Sequence, residues 1–116
     1  NETIAARDAL QIDPGPNFIL RGSELTIKIP GERLGSDQGV VLGRNTSEAD
    51  VILDRSEISR THLRFIMRED KVYADDLGSA NGTILNGARL SAGRPMALHN
   101  KDEITLAGII FIVEGL

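Results

Sequence analysis

The chain has no cysteine and no tryptophan, and only 3% of its 116 residues are aromatic. Without cysteine there are no disulfides, no cysteine-ligated zinc and no thiol catalysis. The shortage of rings counts against a single-stranded nucleic-acid platform, which stacks bases on aromatic side chains. Positive charge is also short. Thirteen Lys and Arg stand against 17 Asp and Glu, a formal net charge of -4, which argues against a broad DNA-binding or anionic-membrane surface. No apolar run approaches the ~20 residues of a membrane-spanning helix. Two histidines without cysteine make a weak metal site. Neither nucleic acid, membrane, metal nor cofactor is therefore expected.

What remains suits one globular domain. Hydrophobic residues make up 41% of the chain, enough to exclude a disordered composition. The length allows one modest core and is too short for two ordinary domains. The chain begins at Asn1 without a signal-peptide pattern, so a piece of a longer protein is expected. The lack of cysteine suits a reducing compartment, and a cytoplasmic location is expected.

The apolar pattern is nearly all strand. Leu25 to Ile29 alternates apolar and polar residues, as a half-buried strand does. Val40–Leu42, Val51–Leu53, Leu63–Met67, Val72–Ala74, Thr83–Leu85, Pro95–Leu98, Glu103–Leu106 and Ile109–Val113 are further short candidates. Turn residues separate them, among them Glu69-Asp70, Asn81-Gly82 and Asn86-Gly87. Many short strands at close spacing predict an all-β fold, an antiparallel β-sandwich of about ten or eleven strands with functional loops at one end. Residues 1–16 read as a linker or flanking segment, with a helical turn or two over 1–13 as the alternative. Residues 17–116 form the domain.

Two loop motifs concentrate polar chemistry. The first is Gly43-Arg44 followed by Ser59-Arg60-Thr61-His62, and the second is Asn81-Gly82-Thr83 with Asn86-Gly87 behind it. Arg44 offers a guanidinium that can give a phosphate two parallel hydrogen bonds; read alone, it is a surface arginine paired with Glu48 or Asp50. Ser59 offers a short hydroxyl donor, or a turn serine bonded to its own backbone. Asn81 carries a carbonyl and an amide that can hold a peptide backbone from both sides, or it tolerates positive φ beside Gly82. Ser59 and His62, with Asp75 or Asp76, invite a hydrolase reading, but Ser59 lacks the glycines of a nucleophile elbow.

Taken in order, these pieces resemble the forkhead-associated (FHA) domain, a β-sandwich family that binds phosphothreonine peptides. The pattern is Gly43-Arg44, Asp50-Val51-Ile52-Leu53, Ile58 to His62, Asp76 to Thr83, Asn86-Gly87 and Asp102-Glu103-Ile104. No single piece is specific, but the pieces in order at the expected spacing are. The resemblance implies that Arg44 is the main phosphate-binding arginine and that Ser59 contacts the phosphate. Arg60 adds a second positive group, and Asn81 holds the main chain beside the phosphothreonine. It makes His62 a structural brace. Gly43, Gly82, Thr83, Asn86 and Gly87 support the loops. Ala80 stands where a hydroxyl residue is common in the family, which removes one peptide contact worth about 0.5–1.5 kcal/mol. Glu57 lies on the loop that helps read ligand residues and should disfavour acidic ones, unless Arg55 and Arg64 cancel it.

The expected partner is then a phosphothreonine-containing protein or peptide, in another protein or elsewhere in the parent chain. The expected role is recruitment in Ser/Thr kinase signalling, without catalysis. The alternatives are an FHA-like structural or assembly domain that ignores phosphate, and the hydrolase.

Overall fold

The computed structural model describes residues 15–45 and 47–116. The flanking segment expected over residues 1–16 lies almost wholly outside the described residues. Eleven strands follow one another, with no helix between them among the described residues. They are β1 (Phe18–Arg21), β2 (Thr26–Ile29), β3 (Val40–Gly43), β4 (Val51–Ile52), β5 (Leu63–Arg68), β6 (Lys71–Asp76), β7 (Thr83–Leu85), β8 (Ala88–Arg89), β9 (Met96–Ala97), β10 (Glu103–Leu106) and β11 (Ile109–Glu114).

Side-chain alternation divides these strands between two layers. One sheet has the order β2-β1-β11-β10-β7-β8 and the other β4-β3-β5-β6-β9. In β2, Ile27 and Ile29 are buried while Thr26 and Lys28 are exposed. In β5, Leu63 and Phe65 face inward, and in β10 Ile104 and Leu106 do the same. These inward residues meet in a single core between the layers. Phe18 of β1 packs edge-on against Phe65 of β5, with centroids 5.3 Å apart at 84°. That geometry adds about 0.5–1.5 kcal/mol to the burial of both rings.

The β-sandwich expectation holds, with one pair differing in direction. β3 and β4 run parallel, Leu42 opposite Val51 and Gly43 opposite Ile52. The cause is local. Asp50 is pinned beside Val41 by two bonds, its N–H to the Val41 carbonyl at 2.8 Å and its Oδ2 to the Val41 N–H at 2.9 Å. The chain after Arg44 therefore doubles back before it pairs, and then runs with β3.

Three hairpins close with two residues at positive φ: Glu69-Asp70, Asn86-Gly87 and Ala107-Gly108. Such turns match the right-handed twist of the strands they join. Asn86 does more than turn. Its side chain donates to Asp102 Oδ1 and accepts from the Glu103 N–H, both at 2.9 Å, tying β7 to the start of β10.

Candidate functional site

The segments following β3, β4 and β6 meet at one end of the sandwich, and their hydrogen bonds show how closely. β3 ends at Gly43, where an added Cβ would lie 1.9 Å from the Arg60 carbonyl oxygen. No side chain fits there, so the Ser59-Arg60 loop rests directly on the end of β3. Arg44 follows at once. Its N–H donates to the Ser59 carbonyl at 3.0 Å. Its Nη1 donates to the Ile58 carbonyl at 3.0 Å, with the Ser56 carbonyl at 3.5 Å. Neither Glu48 nor Asp50 pairs with it; both ion pairs among the described residues lie elsewhere. Nε and Nη2 of Arg44 have no acceptor among the described residues, so the guanidinium is positioned by carbonyls and retains donors.

Ser59 joins two loops. Its Oγ accepts the Ala80 N–H at 2.9 Å, across 21 residues of chain. A hydroxyl that accepts in this way still has its own proton to donate. The Ser59 N–H donates to His62 Nδ1 at 3.1 Å. This fixes the tautomer. Nδ1 is the bare nitrogen, so Nε2 carries the hydrogen and donates to the Gly82 carbonyl at 3.0 Å. His62 is fully buried, and both its nitrogens are spent on backbone. Neither faces Ser59 Oγ as a base would, so the pair lacks the nucleophile–base contact of a hydrolase.

Asn81 is exposed and donates through Nδ2 to the Glu57 carbonyl at 2.8 Å. Its Oδ1 and second N–H stay open to a ligand. Positive φ belongs to Gly82, at 83°, and not to Asn81, so the asparagine is not there to tolerate a left-handed backbone. Arg60 is exposed, and its side chain has no hydrogen bond or ion pair among the described residues. Ala80 is exposed beside Asn81.

The Glu57 carboxyl accepts the Ser56 hydroxyl at 3.0 Å. Its own backbone N–H, that hydroxyl and Arg55 hold its pKa below the usual carboxylate value of 4.5. It is therefore an anion at neutral pH. Of the two arginines expected to offset it, Arg64 turns instead to Gln38, with bonds of 2.8 and 3.3 Å.

The loop bearing Asn81 is organised by Asp76, which the sequence offered as a possible partner of Ser59 and His62 and not in this role. Asp76, 5% exposed, accepts four hydrogen bonds. They come from Ser79 Oγ at 2.6 Å, Thr83 Oγ1 at 2.8 Å, Ser79 N at 2.9 Å and Gly78 N at 3.0 Å. Burial works against its charge. The bonds from Ser79 and Thr83 outweigh burial and lower its pKa below 3.8. Ser79 Oγ passes the constraint on by accepting the Gly82 N–H at 3.1 Å. The signal was legible, since Asp followed by Gly and Ser two and three residues on is an Asx-turn pattern.

The arrangement thus places Arg44, Ser59 and Asn81 on three loops joined through the Ser59 loop, with His62, Gly82, Thr83 and Asp76 as their framework. Asn86 and Gly87 form the hairpin behind β7. Open donors predominate and no nucleophile is paired with a base. Such a site is equipped to bind.

The FHA domain family profile matches residues 40–107. The FHA domain-containing protein FhaB of Mycobacterium tuberculosis is 38% identical over 56 residues, covering 48% of this chain and 36% of FhaB. The glycogen accumulation regulator GarA of the same organism is 29% identical over 89 residues, 73% of this chain and 53% of GarA. The chain therefore spans about a third to a half of the length of these two relatives. Among solved structures, the MEK1 FHA domain in complex with a HOP1 phosphothreonine peptide is similar, at 30% identity and TM-score 0.62. That match covers 84% of this chain and 95% of the other.

Proposed function

The chain belongs to the FHA-domain family, and from that premise we propose that it is a phosphothreonine-dependent interaction module, recruiting phosphorylated partners in Ser/Thr kinase signalling. The observation that carries this reading is the coupling of Arg44, Ser59 and Asn81. Arg44 N–H meets the Ser59 carbonyl, Ser59 Oγ meets the Ala80 N–H, and Asn81 Nδ2 returns to the Glu57 carbonyl. The MEK1 FHA domain, 30% identical, binds a phosphothreonine peptide, which supports the same ligand class here.

The mechanism is charge and shape without chemistry. A phosphothreonine carries about -1.5 to -2 charge at neutral pH. Arg44 meets it through the N–H groups left over from its carbonyl bonds, and Ser59 donates its hydroxyl proton to a phosphate oxygen. Arg60 adds positive charge from solvent. Asn81 accepts from and donates to the ligand backbone. The acidic balance of the whole domain repels indiscriminate polyanions, which leaves one competent site. Preference for threonine over serine comes from burying the γ-methyl, worth about 1–3 kcal/mol or roughly 10–200-fold. No catalysis and no cofactor enter this account.

A degenerate phosphothreonine peptide library, screened beside matched phosphoserine and unphosphorylated libraries, tests the proposal. Enrichment confined to phosphothreonine is expected, and it yields the flanking sequence of the partner. Failure to enrich any library would return the chain to a structural or assembly role.

A further inference from the structure

Next to the Asn81 loop is a second cluster of positive charge that no role above uses. Gly82 sits with φ of 83°, and a Cβ built on it would meet the Arg89 guanidinium, with Cζ and Nη2 both at 3.0 Å and Nε at 3.4 Å. The guanidinium of Arg89 therefore lies over the backbone of the residue that follows Asn81. Arg89 belongs to β8, the edge strand of the six-stranded sheet. Between this edge and β9, the edge of the other sheet, opens a cleft of about 160 Å³ lined by Leu85, Arg89, Leu90, Arg94 and Met96.

Arg89 and Arg94 are both exposed. Among the described residues neither has an acidic partner within 4 Å, nor a side-chain hydrogen bond. In a chain with more acids than bases, two unpaired guanidinium groups on one cleft are a local reversal of charge. Guanidinium is the group suited to bidentate capture of a carboxylate. Arg89 lines the cleft and also lies over Gly82, so it links the cleft to the path along which Asn81 would hold a ligand backbone. An extended peptide advances ~3.3 Å per residue, so a side chain past the one held by Asn81 reaches Arg89.

We propose that Arg89 and Arg94 are specificity-determining residues that select a phosphothreonine ligand with an acidic side chain on the flank leading away from Ser59 past Asn81. The inference rests on the phosphothreonine reading above and adds the ligand's sequence class to it. Glu57 sharpens the choice, since its carboxylate lies on the loop across from Asn81 and repels an acid placed there. The ligand is therefore acidic on one side of the site only.

The test uses phosphothreonine peptides with every flanking position randomised, on the wild-type chain, Arg89→Glu, Arg94→Glu and the double variant. The wild type should enrich Asp and Glu at one flanking position by about three- to tenfold, the span of one or two solvent-exposed charge pairs. Each variant should keep its preference for phosphothreonine over threonine. Each should lose the acidic preference, and the double variant should favour Lys or Arg at the same position. Phosphothreonine binding without acidic enrichment, or with enrichment that survives both substitutions, overturns this inference and leaves the proposed function standing. No phosphothreonine binding by any form overturns both.

Discussion

Replacing Asp76 by alanine removes one carboxylate and orphans four donors at once. The magnitude follows from where each donor lies. Thr83 is fully buried, so its hydroxyl loses its partner with no water to replace it, at a cost of about 1–3 kcal/mol. The Ser79 hydroxyl and the N–H groups of Ser79 and Gly78 sit on a partly exposed loop. Water replaces the carboxylate there, and each bond costs only about 0.5–1.5 kcal/mol. The sum is about 2.5–7.5 kcal/mol, a large share of the 5–15 kcal/mol typical of a domain. Urea unfolding followed by far-UV circular dichroism measures it, as a lower midpoint at unchanged slope. Asp76→Asn keeps the shape and one acceptor oxygen, but turns an amide toward two N–H groups, and should fall between alanine and wild type. Ser79 also holds the Gly82 N–H, so phosphopeptide affinity should weaken in step. A loss below about 1 kcal/mol for Asp76→Ala, with affinity unchanged, would refute the claim that this carboxylate organises the loop.

Three further outcomes are expected. Because folding lowers the Asp76 pKa below 3.8, its contribution is complete above the unfolded value and is lost as pH falls through the folded one. Its share of stability should thus hold from neutral pH to about 4 and drop below it, and Asp76→Asn should flatten that acid limb. Gly43→Ala puts a methyl on the Arg60 carbonyl and should lose both stability and peptide binding, read by thermal melting and titration. The Glu69-Asp70 turn holds two non-glycine residues at φ of 54° and 65°. Changing the pair to Asn-Gly should raise stability by about 1 kcal/mol without touching affinity, since that hairpin lies at the opposite end of β5 and β6 from the loops at issue.

Most strands were legible because one face is buried and the other wet, as in β2 and β10. β1 was not, although Phe18-Ile19-Leu20 is as apolar a triplet as Val40-Val41-Leu42, because it follows directly on the segment read as a linker. β8 is two exposed residues long, and only its pairing with β7 reveals it. The parallel β3–β4 pair depends on Asp50 bonding back to Val41, which no periodicity encodes. At the site, Arg44, Ser59, His62 and Asn81 stood out by residue type and order. What they touch did not. The tautomer of His62, the Ser59 Oγ bond to Ala80 and the Asn81 bond to Glu57 are long-range contacts between loops. Asp76 was visible within its motif, but its role depends on the four donors that the folded loop brings to it. The proximity of Arg89 to Gly82 is set by the β7–β8 hairpin register, Ile84 opposite Arg89.

Arg44 is the residue through which we propose that this site reads phosphate on threonine. The direct measurement is calorimetric titration of one peptide, chosen from the library screen, in phosphothreonine, phosphoserine and unphosphorylated forms against wild type and Arg44→Ala. Wild type should bind the phosphothreonine form measurably. The phosphoserine form should bind roughly 10–200-fold more weakly, and the unphosphorylated form not at all. Arg44→Ala should remain folded, having lost only exposed or half-buried bonds to the Ile58 and Ser56 carbonyls, and should not bind. Affinity retained by a folded Arg44→Ala protein, or equal affinity for the phosphorylated and unphosphorylated peptides, would contradict that proposal.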